Sequence, residues 1–271
     1  MKNMRISAYI LLLASFYSCK TDTKSTTYTD SQIENKTSVD VDYKYTLTPF
    51  SPSEAYPDAK MKGVKYSDGI FTFDVEGEEY KLGEQTPDAP QKMCANSGKG
   101  QHIHLIIDNA PYAAKYTNQF DYAVEDGDHY LLAFLSRSYH ESIKTMDAHV
   151  MKQITVKDKT ITAEEDFQGM MLNYSRPKGT YVGKDQTEKV MLDFYLNNVQ
   201  IGSNFFVKAE INGEVHMIDT WQPYYITGLP MGDNKVKLTL MDAEGKRVNS
   251  PRNPIERVFT LKEDPADGVK Q

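Results

Sequence analysis

The chain reads as all-β: two immunoglobulin-like antiparallel β-sandwich domains after a signal peptide and a flexible tether. Two observations carry that reading. Short segments of alternating polarity recur between turn residues, with no sustained 3.6-residue apolar stripe: "GIFTFDVEGEEYKLG", "HIHLIID", "YLLAFL" and "KQITVKD", then "KVMLDFYLNNVQI", "FFVKAEING", "KVKLTLMDAEGK" and "RVFTLKE". The halves also repeat each other weakly. Ile103, Leu105 and Ile107 align with Phe205, Val207 and Ala209, the turn Gly127-Asp128 with Gly232-Asp233, and Leu131, Ala133 and Leu135 with Val236, Leu238 and Leu240. Equal alternation in both copies marks these residues as core faces.

The elements before the strands are set by composition. "MKNMRISAYILLLASFYSC" has Lys2 and Arg5 ahead of an apolar run too short to span a bilayer, so residues 1–18 read as an export signal. Cys19 follows Ser18 as the lipidated cysteine follows the leader in bacterial lipoproteins, which predicts a membrane partner reached through a lipid anchor. Residues 19–42 are rich in Ser, Thr, Asp and Lys and poor in large apolar groups, the composition of a tether. The first sandwich is expected over 43–158, the second over 159–263, joined near "KDKTITAEED" (157–166), with a polar tail at 264–271.

With Cys19 anchored, Cys94 is left alone, and no internal disulfide is expected. A formal charge of −7 with no basic stripe argues against nucleic acid as a partner.

Chemistry concentrates in the histidines. Of six, five (His102, His104, His129, His140 and His149) fall in the first sandwich. The repeat places Asn204, Phe206 and Asn234 opposite His102, His104 and His129, so the scaffold folds without imidazoles there. His102 and His104 share one face of a strand, and two imidazoles at that spacing can converge on one metal ion. Pairing of strand 102–108 with 129–135 brings His140 to the same end and sends His129 to the other, so His140 is the expected third ligand. Cys94, beside Met93, supplies a soft sulfur upstream, and such a set suits copper or zinc. The same face also reads as the plain polar exterior of a sheet, and Cys94 as a small buried hydrophobe.

The two loops at that end offer a second chemistry. Lys99 with the glycine amides of "NSGKGQ", and Ser136, Arg137 and Ser138 of "SRSYHES", would together suit a phosphate, a carboxylate or a peptide terminus. The phosphate-loop spacing and a nucleophile elbow are both missing, so no enzyme is expected. On strand 130–135 the outward residues Tyr130, Leu132 and Phe134 are apolar where the second copy has Lys235, Lys237 and Thr239. That face must be covered, by segment 43–80, by the second half or by a partner. Trp221, with Tyr224 and Tyr225, reads as packing more than as a carbohydrate or peptide platform.

"KGQHIHLIIDNAPY" followed by "EDGDHYLLAFLSRSYHESIK" resembles a family of secreted bacterial lipoproteins of unknown function often labelled phosphopeptide-binding protein. The resemblance covers about residues 50–155 and rests on His102, His104, Asp108, Gly127, His129, His140 and "SRSYHES". It implies an exported sandwich protein. The Gly-Arg and Ser-x-x-His signature of fork-head-associated phosphopeptide readers is not found. The expectation is a non-catalytic lipoprotein of a Gram-negative envelope, at the outer membrane. Its first sandwich binds a ligand: a transition metal first, an anion or peptide second, with a purely structural role as the third alternative.

Overall fold

Residues 102–107 fix the architecture. Ile103, Leu105 and Ile107 turn to one side of a strand and His102, His104 and Ile106 to the other, yet all six are buried. A strand buried on both faces lies in the middle layer of a stack. The computed structural model describes residues 44–268. The signal segment, Cys19 and the rest of the tether lie outside the described residues, as does the end of the tail.

In chain order the strands are β1 (Thr46–Pro49), β2 (Lys60–Ser67), β3 (Ile70–Glu76), β4 (His102–Ile107), β5 (Ala113–Lys115), β6 (Gln119–Asp121), β7 (Gly127–Ser136), β8 (His149–Lys157), β9 (Thr160–Asp166), β10 (Met171–Arg176), β11 (Gly179–Val182), β12 (Val190–Asn197), β13 (Phe205–Ile211), β14 (Glu214–Ile218), β15 (Tyr224–Thr227), β16 (Gly232–Asp242) and β17 (Ile255–Lys262). Helix is confined, among the described residues, to α1 (Lys184–Thr187) and two short 3-10 turns, and no helix there is long and apolar enough to cross a membrane. The all-β expectation holds.

Four sheets form two sandwiches. Sheet β2-β3-β6 faces β5-β4-β7-β8-β9 across a core containing Phe71, Phe73, Ile103, Leu105, Leu131, Ala133 and Leu135. Sheet β1-β15-β12-β10 faces β11-β17-β16-β13-β14 across a core containing Leu172, Leu192, Phe194, Val207, Ala209, Leu238 and Leu240. Pairing is antiparallel throughout except for β11 with β17, which run parallel. The two copies keep the same faces but not the same register: Leu105 opposes Ala133, whereas Val207 opposes Leu240, two residues past Leu238. The pleat enforces a face by parity, so an even slip leaves the core side unchanged.

The expected domain limits need correcting at both ends of the first sandwich. Thr46–Pro49, placed there by sequence, instead add an edge strand to β15 of the second, with Tyr45 in that core. Residues 160–166, read as a joint, are strand β9, paired along β8. The described residues 44–268 all fall in one compact unit.

The apolar outer face of β7 is covered by the second half. Ile106, Leu132, Phe134 and Met151 pack against Met171 and Tyr195, with Trp221 alongside. Polar ties reinforce the seam. The Asn109 amide donates to Leu172 O at 2.9 Å and accepts from Tyr174 N at 2.9 Å, giving the β10 edge the partner a strand would supply. Asp193, fully buried on β12, accepts from Ser142 N at 3.1 Å and from Lys144 Nζ at 2.6 Å. Trp221 donates to Phe194 O at 3.0 Å and meets Tyr195 edge-on, so it packs the seam.

Candidate metal centre

The register of β4 on β7 brings His102 opposite Ser136, at the end where the chain leaves β7. Beyond it, residues 137–141 form a closed turn. Ser136 bridges to Ser142, Arg137 N donates to Glu141 O, and His140 N donates to Arg137 O. His140 takes the left-handed conformation, φ 70°, a conformation costing about 1–2 kcal/mol for a non-glycine residue. That turn points His140 back to the strand face of His102 and His104.

His102 Nε2 lies 2.9 Å from His104 Nε2 and 3.0 Å from His140 Nδ1, and the three donor atoms all lie within 4.8 Å of one another. His102 and His104 have no exposed surface, and His140 is half-buried. His102 Nδ1 is 2.8 Å from Gly100 O. A carbonyl only accepts, so Nδ1 carries the proton and Nε2 presents its lone pair to the other two rings. Gly100 itself has φ 84°, and a Cβ there would collide with the backbone of Gly83 and Glu84, so glycine is required where this carbonyl is aimed.

The neighbours hold the other rings. Tyr112 stacks on His104 at 3.6 Å and 8°, and its hydroxyl is 3.3 Å from His140 Nδ1. Ser175 Oγ, from the second half, is 3.4 Å from His104 Nδ1. Burial holds the pKa of His102 down to about 4 and those of His104 and His140 well below the usual imidazole value, with the charges of Arg176 and Lys178 acting in the same direction. All three rings are thus neutral at pH 7. One lone pair on His102 Nε2 cannot satisfy two ring nitrogens at about 3 Å. His104 can donate to that lone pair while the Tyr112 hydroxyl donates to His140 Nδ1, which leaves both rings in reach of a shared ion with their positions fixed by neighbours. Neutral imidazoles with a backbone carbonyl behind them are the form in which histidine binds metal. Tetrahedral Zn–N bonds of about 2.0–2.1 Å place ligand nitrogens about 3.3 Å apart; two of the three separations here, 2.9 and 3.0 Å, are within a few tenths of an ångström of that, and the whole set lies within 4.8 Å, so a modest ring movement would complete the triangle. The His102, His104 and His140 group can hold a metal ion.

Cys94 is not in this group. Its side chain packs by Phe50, Tyr139 and Tyr225, and burial pushes the thiol up to about 12. Cys94 is half-buried there rather than fully enclosed, because the segment before β4 is an irregular wrap that carries residue 94 past the aromatic cluster.

The anion cradle does not assemble either. The Arg137 guanidinium is taken by Glu54 O, through Nε at 2.9 Å and through Nη2, with Glu141 at 3.7 Å. Ser136 Oγ donates to Arg137 O and Glu141 O, and Ser138 exchanges hydrogen bonds with Thr86. Lys99 is exposed over the Tyr116 ring at 5.6 Å. Sequence placed these loops at one end but could not show that Glu54 and Thr86 already engage Arg137 and Ser138. His129 sits at the opposite end, bonded to Asp108 at 2.7 Å and to Glu125 O at 2.9 Å, as the strand geometry required.

Four site neighbours escaped sequence reading: Tyr112, Ser175, Arg176 and Lys178. Part of the signal was present in "MLNYSR", where Asn173 and Ser175 alternate with Leu172 and Tyr174, a polar face fit to meet another polar face.

No family model matches this chain, and neither does any curated protein. Among solved structures it is similar to the fibronectin(III)-like modules of Clostridium thermocellum CbhA, at 15% identity over 34% of this chain and 98% of that one, TM-score 0.28. It is also similar to the chicken interferon gamma receptor alpha chain, at 10% identity over 74% and 98% of the two chains, TM-score 0.23. A third is a Bacteroides ovatus protein of a mixed-linkage glucan utilization locus, in complex with a mixed-linkage heptasaccharide. It shows 8% identity over 80% and 71% of the chains, TM-score 0.21.

Proposed function

We propose that this chain is a non-catalytic envelope lipoprotein, anchored through Cys19 at the outer membrane of a Gram-negative cell, that binds one transition-metal ion at His102, His104 and His140. The observation that carries the metal reading is the meeting of three neutral ring nitrogens at 2.9 and 3.0 Å around one lone pair. Copper and zinc both suit an all-imidazole set. The anchor rests on the sequence around Cys19. The loop carrying Arg137 and Ser138 gives no support to the phosphopeptide label, because its donors are engaged within the chain.

The test is titration of EDTA-treated protein with Zn2+, Cu2+ and, under reductant, Cu+. One equivalent is expected to bind, with affinity falling at least about 10-fold in His140→Gln, whose half-exposed ring can change without opening the core, and more in His102→Ala/His104→Ala. Absence of stoichiometric binding in the wild type removes the reading.

A further inference from the structure

The surroundings of the three histidines carry a charge pattern that a bare cation site would not have. Arg176 follows Ser175, the residue touching His104, and is 95% buried, with 5% of its surface exposed. Its guanidinium lies over the Tyr181 ring at 5.3 Å, and its Nε has no hydrogen-bond partner. Lys178 Nζ lies 3.9 Å from the Tyr112 centroid and donates to Tyr112 O at 2.7 Å. Because the His104 ring covers one face of Tyr112, the ammonium takes the other. Among the described residues, no carboxylate forms an ion pair with Arg176 or Lys178.

Two largely buried acids, Asp193 and Glu141, are already engaged. Asp193 is paired with Lys144, and Glu141 with Arg137 and Ser53. A metal dication among three neutral imidazoles would add its charge to those of Arg176 and Lys178, while both acids are already balanced by other cations. In a poorly solvated site such like charges repel strongly, and a buried guanidinium without an acid is itself costly. Both costs fall if an anion enters with the metal. Three protein ligands leave a fourth tetrahedral position for an exogenous group, and half-buried His140 and Lys178 mark the side nearer solvent.

We propose that the fourth position of a metal held by His102, His104 and His140 is filled by a small oxyanion, a carboxylate or a phosphate, whose charge is balanced by Arg176 and Lys178. This rests on the metal reading above. The site would then take metal and anion together, each strengthening the other by the same factor.

The experiment is a Co2+ titration of the full chain, followed by its visible absorption, in chloride-free buffer alone and with acetate or inorganic phosphate. Saturable spectral change with either anion is expected, together with at least about 10-fold tighter Co2+ binding in its presence. In Arg176→Met and, separately, Lys178→Met, Co2+ should still bind while the anion effect shrinks. Lys178→Met is the safeguard should the buried Arg176 variant fail to fold. Acetate and phosphate acting unequally identifies the class. A Co2+ complex indifferent to both anions, or a Lys178→Met protein with an undiminished anion effect, overturns the proposal while leaving the metal site standing. No Co2+ binding in the wild type removes both.

Discussion

Acidifying the metal-free protein from pH 7 to pH 5 should destabilise it through the histidines before the carboxylates begin to titrate. Burial holds His102 at about 4 against 6.5 for a free imidazole, so between those values the unfolded chain binds a proton that the folded chain refuses. Stability is therefore complete above pH 6.5 and is lost as pH falls toward 4, the slope being set by the extra proton bound on unfolding. At about 1.4 kcal/mol per pH unit, His102 alone costs about 2 kcal/mol at pH 5. His104, His140 and His149 are lowered in the same direction and add to it. The assay is urea unfolding in EDTA at pH 7.0, 6.0 and 5.0, on the wild type and on His140→Gln. A loss of more than about 2 kcal/mol is expected in the wild type, with a shallower pH slope in the variant. Equal stability at pH 7.0 and 5.0 would show that these rings are not buried neutral, and the argument for a preformed metal site would fall with it.

Three further outcomes probe how the site is held. Asp193→Ala strips a fully buried acceptor from Lys144 and Ser142 at the seam, and urea unfolding should show a loss of about 3–5 kcal/mol, against a smaller loss in Asp193→Asn, which keeps the acceptor for Ser142 N. Gly100→Ala forces a Cβ against the Glu84 backbone at φ 84°, so it should cost more than about 1 kcal/mol and weaken Zn2+ binding by moving the carbonyl behind His102. Cys94, with its thiol near 12, should react with a disulfide reagent at pH 8 far more slowly in the native protein than in urea; equal rates would place it outside the aromatic cluster.

The sequence by itself determined what depends on parity and on neighbours along the chain. Alternation set the faces of β4, β7, β13 and β16. It put His102 and His104 side by side, and the antiparallel return placed His140 at their end and His129 at the other. The apolar run Tyr130, Leu132 and Phe134 also announced that something must cover the sheet.

Tertiary structure decided everything that depends on segments distant along the chain. It chose the second sandwich as the cover, so that Ser175 reaches His104 from a strand some 70 residues further on. It carried Thr46–Pro49 across to β15, a pairing that a four-residue edge strand does not signal locally. It led Cys94 away from the imidazoles and filled the hydrogen-bonding capacity of Arg137 and Ser138 from Glu54 and Thr86. A side chain's pattern states which face it occupies. Only the packing of other segments fixes whether that face meets solvent, a partner or a metal, because burial and hydrogen-bond satisfaction are properties of the whole enclosure.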